Sequence, residues 1–177
     1  LAREKGWSVE QARRINGQVT GMAAEAGLKY DFDRAIPANT LNAHRLSHYA
    51  AEQGVQDKAE ERLFSAYFTE GLNIDEIGTL VKLGEEIGLD PVAVREMLDS
   101  DRFTADVTED QNRARKIGVQ GVPFCVFDNK YAISGAQPVE LFVQTLQRAW
   151  EEYEKPEPLQ TVTAQDGAAC DPETGQC

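Results

Sequence analysis

Cysteine, histidine and the common short catalytic motifs are scarce in this sequence. Its 177 residues include three cysteines and two histidines. No CxxC, HExxH, GxSxG, GxGxxG or GxxxxGK[ST] pattern occurs in it. These absences remove the strongest sequence arguments for a zinc site, a hydrolase or a nucleotide-binding enzyme. We therefore expect no bound metal and no cofactor.

Positive charge and long apolar segments are also in short supply. The chain carries 18 Lys and Arg against 30 Asp and Glu, a formal net charge of −12. A nucleic-acid surface needs clustered Lys and Arg, so we expect no nucleic-acid partner. No apolar run approaches the roughly 18 residues of a membrane-spanning helix. No signal or transit peptide is recognisable. We expect no membrane association and a cytoplasmic location.

Helical periodicity dominates the first two thirds of the chain. Ser8 and Gln11 have the spacing of a capping box, and Asp90 before Pro91 is a typical helix start. Gly17 and Gly21, inside the first helix, are interpreted as points of close helix contact. The pattern predicts helices over residues 9–26, 40–53, 57–70, 75–88, 90–99 and 103–117.

The pattern changes after residue 118. Residues 122–127 are apolar, β-branched and aromatic, Asp128 and Asn129 supply turn chemistry, and residues 131–133 are apolar again, which predicts a β-hairpin. An amphipathic helix is predicted over 138–153. From residue 155 the composition becomes polar, so we expect a mobile tail. The predicted division is 1–118, 119–154 and a tail with two cysteines over 155–177.

The hairpin lacks partners in this sequence. An isolated two-stranded hairpin is marginally stable, and one with two apolar faces suits a central place in a larger sheet. No other convincing strand is present, and the first residue is Leu1 rather than Met. We interpret the chain as processed or as a fragment of a longer protein.

Three short segments around the hairpin resemble a known family. They are Gly-Val-Pro-Phe at 121–124, Asp-Asn-Lys-Tyr at 128–131 and Ser-Gly-Ala-Gln-Pro at 134–138. They resemble the C-terminal half of a DsbA-like thioredoxin domain. Upstream, residues 36–46 and 63–71 resemble the helical insertion of the FrnE-type subgroup. The resemblance implies an α/β fold, with a helical insertion module over 1–118 followed by the β-β-α half of a thioredoxin fold over 119–154.

The resemblance also implies a function. Such proteins are thiol–disulfide oxidoreductases or isomerases that act on protein or small-molecule thiols and disulfides. Their reactive thiolate lies in a CxxC at a helix start. That motif is absent here, so we expect this chain alone to be catalytically silent. By position, the resemblance makes Pro123 the cis proline opposite the CxxC and Val122 the residue whose backbone binds substrate.

The three cysteines fall into two groups. Cys125 lies inside the predicted strand among apolar neighbours, with no cation beside it in the sequence to activate its thiol, so we interpret it as a core residue. Cys170 and Cys177 lie in the polar tail, where packing does not explain them. We interpret them as an accessory redox pair; surface thiols without a role and a metal-scavenging tail are the alternatives.

The two histidines are four residues apart on one predicted helix. His44 and His48 have the spacing of a helical metal pair, but no third ligand accompanies them, so we interpret them as helix-surface or groove residues. Asn39, Thr40 and His44 are candidates for lining a substrate groove.

Two other functions remain open at the level of sequence. One is a glutathione-dependent isomerase or transferase, related to 2-hydroxychromene-2-carboxylate isomerase and the kappa-class transferases, which share the split thioredoxin plan. The other is a helical binding module without catalysis. The segment at 134–138 favours the disulfide oxidoreductase over the glutathione-dependent enzyme.

Overall fold

The computed structural model describes residues 6–153. They form helices α1 (Val9–Glu25), α2 (Leu41–Glu52) and α3 (Gln56–Phe64), a π-helix (Ser65–Glu70), helices α4 (Ile77–Glu86), α5 (Pro91–Asp99) and α6 (Thr104–Lys116), strands β1 (Phe124–Phe127) and β2 (Tyr131–Ser134), and helix α7 (Val139–Glu151). This mostly helical α/β architecture confirms the predicted fold class. Among the described helices, none combines the length and apolar character that crossing a membrane requires.

The chain divides into two compact units. We call Leu1–Gly118 the helical unit and Val119–Cys177 the hairpin unit. In the helical unit, α2 is central and packs against α3, α4, α5 and α6. The largest side chains that are almost fully buried there are Leu46, Leu80, Leu83 and Val94. Burying each contributes about 1.5–3 kcal/mol, so this cluster is the main source of stability in the helical unit.

A buried arginine joins α2 to the end of α5. Arg45 is 5% exposed. Its guanidinium donates hydrogen bonds to the backbone carbonyls of Met97, Leu98, Ser100 and Arg102. The last carbonyls of a helix have no partner within the helix and must be satisfied from outside. Arg45 supplies those donors, which explains how a charged side chain is accommodated in the core.

The helix predicted over 57–70 is not a single α-helix. It changes at residue 65 into the π-helix, which is a correction to the sequence prediction. Arg62 donates to both carboxylate oxygens of Glu70 at 2.7 and 2.9 Å, and Ser65 donates to Glu70 Oε1 at 2.8 Å. These bonds lower the pKa of the Glu70 carboxyl, the bond from Arg62 most of all. They fix the last residue of the π-helix to α3.

Gly71 ends the π-helix in a left-handed conformation, at a place where a side chain has no room. Its φ is +68°, and a Cβ there would lie 2.6 Å from the carbonyl oxygen of Arg34. Three residues earlier, the Phe68 carbonyl accepts a hydrogen bond from the Asp31 N–H at 2.7 Å, and the Tyr30 ring stacks on the Phe68 ring at 4.7 Å. The segment between α1 and α2 is thereby held against the π-helix.

The capping box that starts α1 is confirmed. Ser8 Oγ accepts from the Gln11 N–H at 3.1 Å, and Gln11 Oε1 accepts from the Ser8 N–H at 2.8 Å. The interpretation of Gly17 and Gly21 is wrong, because a Cβ built at either glycine meets no described atom within 4 Å. These glycines therefore weaken α1 without admitting a neighbour.

Helices α2, α4 and α6 are among those that begin one or two residues later than predicted. Asn39 Oδ1 accepts from the Leu41 N–H at 3.0 Å, and Asn73 Oδ1 accepts from the Asp75 N–H at 3.1 Å. Each bond forms a local turn in place of the first helical residues. Phe103 takes a φ of +64°, so α6 starts at the next residue. A side chain to backbone bond thus precedes the start of α2 and of α4, and a left-handed residue precedes the start of α6.

The predicted hairpin is confirmed in the hairpin unit. β1 and β2 pair antiparallel, with Phe124 opposite Ser134 and Phe127 opposite Tyr131. Residues 128–130 connect the strands; Asp128 and Asn129 both have positive φ, and the Lys130 N–H donates to the Phe127 carbonyl at 3.0 Å, which closes the turn. On one side α7 packs on both strands, and its Phe142 ring lies 6.4 Å from the Phe127 ring.

Candidate functional site

The exposed loop before β1 carries the residues that the sequence marked for substrate binding. Val122 is 89% exposed. The Val122–Pro123 peptide bond is cis, the isomer that the resemblance implies. Because Pro123 precedes β1, its missing N–H removes no hydrogen bond from the strand pair. No residue in the described range hydrogen-bonds to the backbone of Val122. Both backbone groups of Val122 are open to a ligand.

The segment after β2 fixes this loop from the other side. The Gly135 N–H donates to the Pro123 carbonyl at 2.8 Å. Gly135 has a φ of +82°, and Gln137 Nε2 donates to the Ser134 carbonyl at 3.0 Å. The Ser-Gly-Ala-Gln-Pro segment therefore folds back on the end of β2. It places Pro123 relative to both strands.

The described cysteine does not form a reactive centre. Cys125 is a free thiol in β1, half-buried and opposite Ile133. It is less enclosed than a core residue, and no disulfide partner for it lies in residues 6–153. Cys170 and Cys177 lie outside the described residues, so their pairing stays a prediction.

A charged network ties α7 to the hairpin at the end away from Pro123. The Tyr131 hydroxyl donates to Glu152 Oε2 at 2.5 Å, and Arg148 Nε lies 3.3 Å from Glu152 Oε1. The hydrogen bond to Glu152 raises the pKa of Tyr131, and the bonds from Tyr131 and Arg148 lower the pKa of Glu152. This network is a tether and does not reach the proline loop.

Two of the three predicted groove residues line a cavity in the helical unit. Thr40 and His44 lie on its wall, and its volume is about 460 Å³. The third, Asn39, does not line it, since its side chain is bonded to the Leu41 N–H. The structure therefore places Thr40 and His44 on the wall of one cavity, and the Asn39 side chain stabilises the turn before α2.

The two histidines have different surroundings. His44 is exposed at the cavity, whereas His48 Nε2 lies 3.0 Å from Asp110 Oδ2 of α6 and its ring stacks on Phe103. Within residues 6–153, no group of three or more His, Cys, Asp or Glu is arranged to hold a metal ion. The histidine spacing does not produce a shared site in the described structure.

Sequence reasoning missed two features of the helical unit. Glu60 and the buried Ser47 belong to the wall of the cavity with Thr40 and His44, and Arg45 binds the end of α5. Glu60 has a local signal, because it precedes Phe64 and Tyr67 at helical spacing. Arg45 has none, since its carbonyl partners lie more than 50 residues away along the chain.

Comparison with known proteins identifies the family. The family model of the DSBA-like thioredoxin domain matches residues 2–147. A probable DsbA oxidoreductase from Streptomyces coelicolor, known from its crystal structure, matches with a TM-score of 0.80 and 33% identity, over 98% of this chain and 72% of that chain. The uncharacterized protein YwbO of Bacillus subtilis strain 168 is 34% identical over 80 residues.

The curated relative is matched over less than half its length. The aligned stretch covers 45% of this chain and 40% of YwbO. The family model, in contrast, spans both the helical unit and the hairpin unit up to residue 147. The chain therefore belongs to the DSBA-like thioredoxin domain family, a family of thiol–disulfide oxidoreductase type.

Proposed function

We propose that this chain is the helical-insertion and β-β-α part of a FrnE-type thiol–disulfide oxidoreductase or isomerase. Its substrates are thiols and disulfides of proteins or small molecules, and its location is the cytoplasm. The observation that carries the proposal is the extent of the family match, which runs from residue 2 to residue 147 and includes the proline loop. The likeness to the Streptomyces protein over 98% of this chain supports it.

In this proposal the proline loop holds the substrate. An extended substrate segment pairs with the open N–H and C=O of Val122 by β-augmentation. Pro123 has no N–H, so it offers no competing donor beside the reactive disulfide. The Pro123 carbonyl is already occupied by Gly135, which leaves Val122 as the pairing residue of the loop.

The exchange reaction itself needs cysteines that this sequence does not provide in a CxxC. One thiolate attacks the substrate disulfide, forms a mixed disulfide and releases a substrate thiolate. A second thiolate then displaces the remaining substrate thiolate, so the substrate gains two electrons and the protein is oxidised to a disulfide. We assign these two thiols to a CxxC-bearing segment outside these 177 residues, with Cys170 and Cys177 as an accessory pair.

Exposed apolar surface in the hairpin unit supports that assignment. Val126 on β1 is 43% exposed, and Leu146 and Trp150 on α7 are 54% and 73% exposed. The described sheet has two strands, and a sheet of this size is marginal without further strands. A β-α-β segment carrying the CxxC has both the strands and the helix to cover this surface.

The test is an insulin-reduction assay with dithiothreitol. We expect the 177-residue chain alone to give the rate of dithiothreitol without enzyme. Joined to a CxxC-bearing β-α-β segment of a DsbA-like protein, it should exceed that rate at least about 10-fold, because effective positioning is restored. Activity of the chain alone at the level of a thioredoxin would contradict the proposal.

A matched pair of variants tests the role of Val122 in the joined protein. Val122→Pro removes the N–H that pairs with substrate, and Val122→Ala keeps it. We expect the first to lower kcat/KM for a peptide disulfide about 10-fold and the second to change it less than about 2-fold. If the two variants had equal unfolding midpoints and equal effects on kcat/KM, the backbone N–H of Val122 would not be part of the substrate-binding site.

A further inference from the structure

A mostly apolar cavity lies between α2, α3 and the π-helix. We call it the α2–α3 cavity, and its volume is about 460 Å³. Ten residues line it: Thr40, Ala43, His44, Ser47, Glu60, Leu63, Phe64, Tyr67, Phe68 and Ile74. A cavity of a few hundred Å³ with apolar walls and a few converging polar groups has the size and character of a small-molecule site.

One carboxylate is fixed at the polar side of this cavity. Ser47, which is 8% exposed, donates its hydroxyl to Glu60 Oε1 at 3.0 Å. Gln56 Nε2 in turn lies 3.2 Å from Ser47 Oγ, so the Ser47 hydroxyl is held by α3 as well. Glu60 Oε2 accepts no hydrogen bond from residues 6–153. Half of the carboxylate is therefore free to bind a ligand.

The charge of Glu60 is not neutralised by the described protein. No Lys or Arg is among the residues that line the cavity. The ion pairs within residues 6–153 involve other carboxylates. The cavity thus combines an apolar interior with one unpaired negative charge, and this combination favours a ligand that is apolar and cationic.

Aromatic rings lie beside that charge. Phe64 follows Glu60 by four residues on α3, so both side chains share one face of the helix. Phe64 is 57% exposed, and its ring lies 6.3 Å from the Phe68 ring, which in turn lies 4.9 Å from the Tyr67 ring. A carboxylate next to aromatic faces attracts organic ammonium groups by charge and by cation–π interaction.

The π-helix forms part of the same wall. It contributes Tyr67 and Phe68, and α3 contributes Glu60, Leu63 and Phe64. π-Helical turns are rare and occur frequently at functional sites. This local irregularity is a second observation, independent of the charge, that points to a ligand.

We propose that the α2–α3 cavity binds a small organic ammonium compound with an apolar body. The ammonium group pairs with Glu60, and the apolar body lies against Phe64, Tyr67 and Phe68. No described cysteine lines the cavity. Thr40 and His44 on its wall are also the groove candidates named above, but amine binding is measured without thiol exchange, so the inference and the proposed function can fail separately.

The first experiment uses three ligands of the same shape and different charge. 2-Phenylethylamine, 2-phenylethanol and phenylacetate are titrated into the 177-residue chain by calorimetry. We expect saturable one-to-one binding of the amine, at least about 10-fold weaker binding of the alcohol, and none of the carboxylate, because only the amine gains the charged pair. Equal binding of the amine and the alcohol, or no saturable binding of the amine, overturns the proposal.

The second experiment uses matched variants. Glu60→Gln keeps an acceptor for Ser47 and removes the charge, so amine affinity should fall at least about 10-fold. Glu61→Gln makes the same change of charge outside the cavity and should leave affinity within about 2-fold. Phe64→Leu should weaken amine binding about 3-fold through loss of the cation–π contact. Equal affinity of the Glu60 and Glu61 variants overturns the assignment of the carboxylate.

Discussion

The helical unit and the hairpin unit differ in how completely each buries its apolar side chains. Of the eighteen buried hydrophobic residues within 6–153, sixteen lie in the helical unit, while Ile133 and Ala149 lie in the hairpin unit. Helices whose apolar stripes face one another complete a core among themselves. A two-stranded hairpin has two faces, and one helix covers a single face. The helical unit therefore has a complete apolar core of its own, whereas the hairpin unit leaves apolar side chains exposed.

Helix α7 illustrates the second half of that comparison. Its Phe142 and Ala149 face the hairpin. A second apolar stripe on α7 is exposed and consists of Val139, Val143, Leu146 and Trp150. Each apolar stripe of a helix is normally buried against a neighbouring element, so two stripes require two neighbours. The CxxC-bearing segment of the proposed function would be the second.

The largest expected difference concerns leucines of the two units. Leu80 in α4 is fully buried, and Leu146 in α7 is 54% exposed. Leu80→Ala should lower the free energy of unfolding by about 3–5 kcal/mol, because it leaves a cavity in a closed core. Leu146→Ala should change it by less than about 0.5 kcal/mol. Urea unfolding followed by circular dichroism measures both, and similar losses would erase the distinction between the units.

A buried arginine of the helical unit and an exposed arginine of the hairpin unit allow the same comparison for charged side chains. Arg45→Met should cost about 3 kcal/mol, since it leaves several buried carbonyls without donors while preserving side-chain volume. Arg148 in α7 has a side chain that is 68% exposed, and Arg148→Met should leave the urea midpoint unchanged. The urea midpoints of the two variants provide the measurement. A small loss for Arg45→Met would mean that water replaces the guanidinium at the end of α5.

Substituting two glycines that both have positive φ distinguishes the cost of backbone strain from the cost of a steric clash with a neighbouring segment. Gly71 and Gly135 both have positive φ, but an added Cβ meets Arg34 backbone at Gly71 and only the flexible end of Gln137 at Gly135. Gly71→Ala should cost about 2–3 kcal/mol and Gly135→Ala about 1 kcal/mol. Thermal unfolding of both variants tests this. Equal costs would show that backbone strain alone accounts for Gly71.

The smallest expected effect is a pH dependence that begins near Glu70. Its pKa is lowered from the ordinary 4.5 by hydrogen bonds from Arg62 and Ser65. Its stabilising effect is therefore present above about pH 4.5 and is lost as the pH falls through the folded pKa. The side chain is 37% exposed, so the contribution should stay below about 1 kcal/mol.

Comparison of the wild-type chain with Glu70→Gln measures this contribution. The difference in urea midpoint should be present at neutral pH and shrink as the pH falls below about 4.5, where the carboxyl of the unfolded chain becomes protonated. Glu152→Gln in the exposed network of the hairpin unit is the matched control, and we expect no resolvable change from it. A difference for Glu70→Gln that persists at acid pH would show that shape rather than charge matters there.

The sequence predicted the existence and type of nearly every element, but it did not predict the π-helix. The capping box at Ser8 and the turn at Asp128 and Asn129 are local, so their residues alone sufficed. The change at Ser65 depends on Arg62 reaching Glu70 and on the Asp31 N–H reaching the Phe68 carbonyl. Such bonds leave no periodic signal in the chain.

The candidate sites divide in the same way. The proline loop was recognised because its residues are contiguous and resemble a family. Of the residues predicted to line a substrate groove, Thr40 and His44 lie on the wall of the α2–α3 cavity, whereas the Asn39 side chain binds the Leu41 N–H. Ser47 and Glu60 lie on two different helices, and the residue pattern of either helix does not predict the hydrogen bond between them.

The sequence by itself determined the helical register, the hairpin and its turn, the family, and the absence of a CxxC. All of these depend on residues within a few positions of one another. Only the tertiary structure decided that Arg45 is buried against the end of α5, that Gly71 must admit the Arg34 backbone, and that Glu60 faces an apolar cavity. The physical reason is that these features arise where segments that are separated in the chain come into contact, and such contacts are a property of the packed fold.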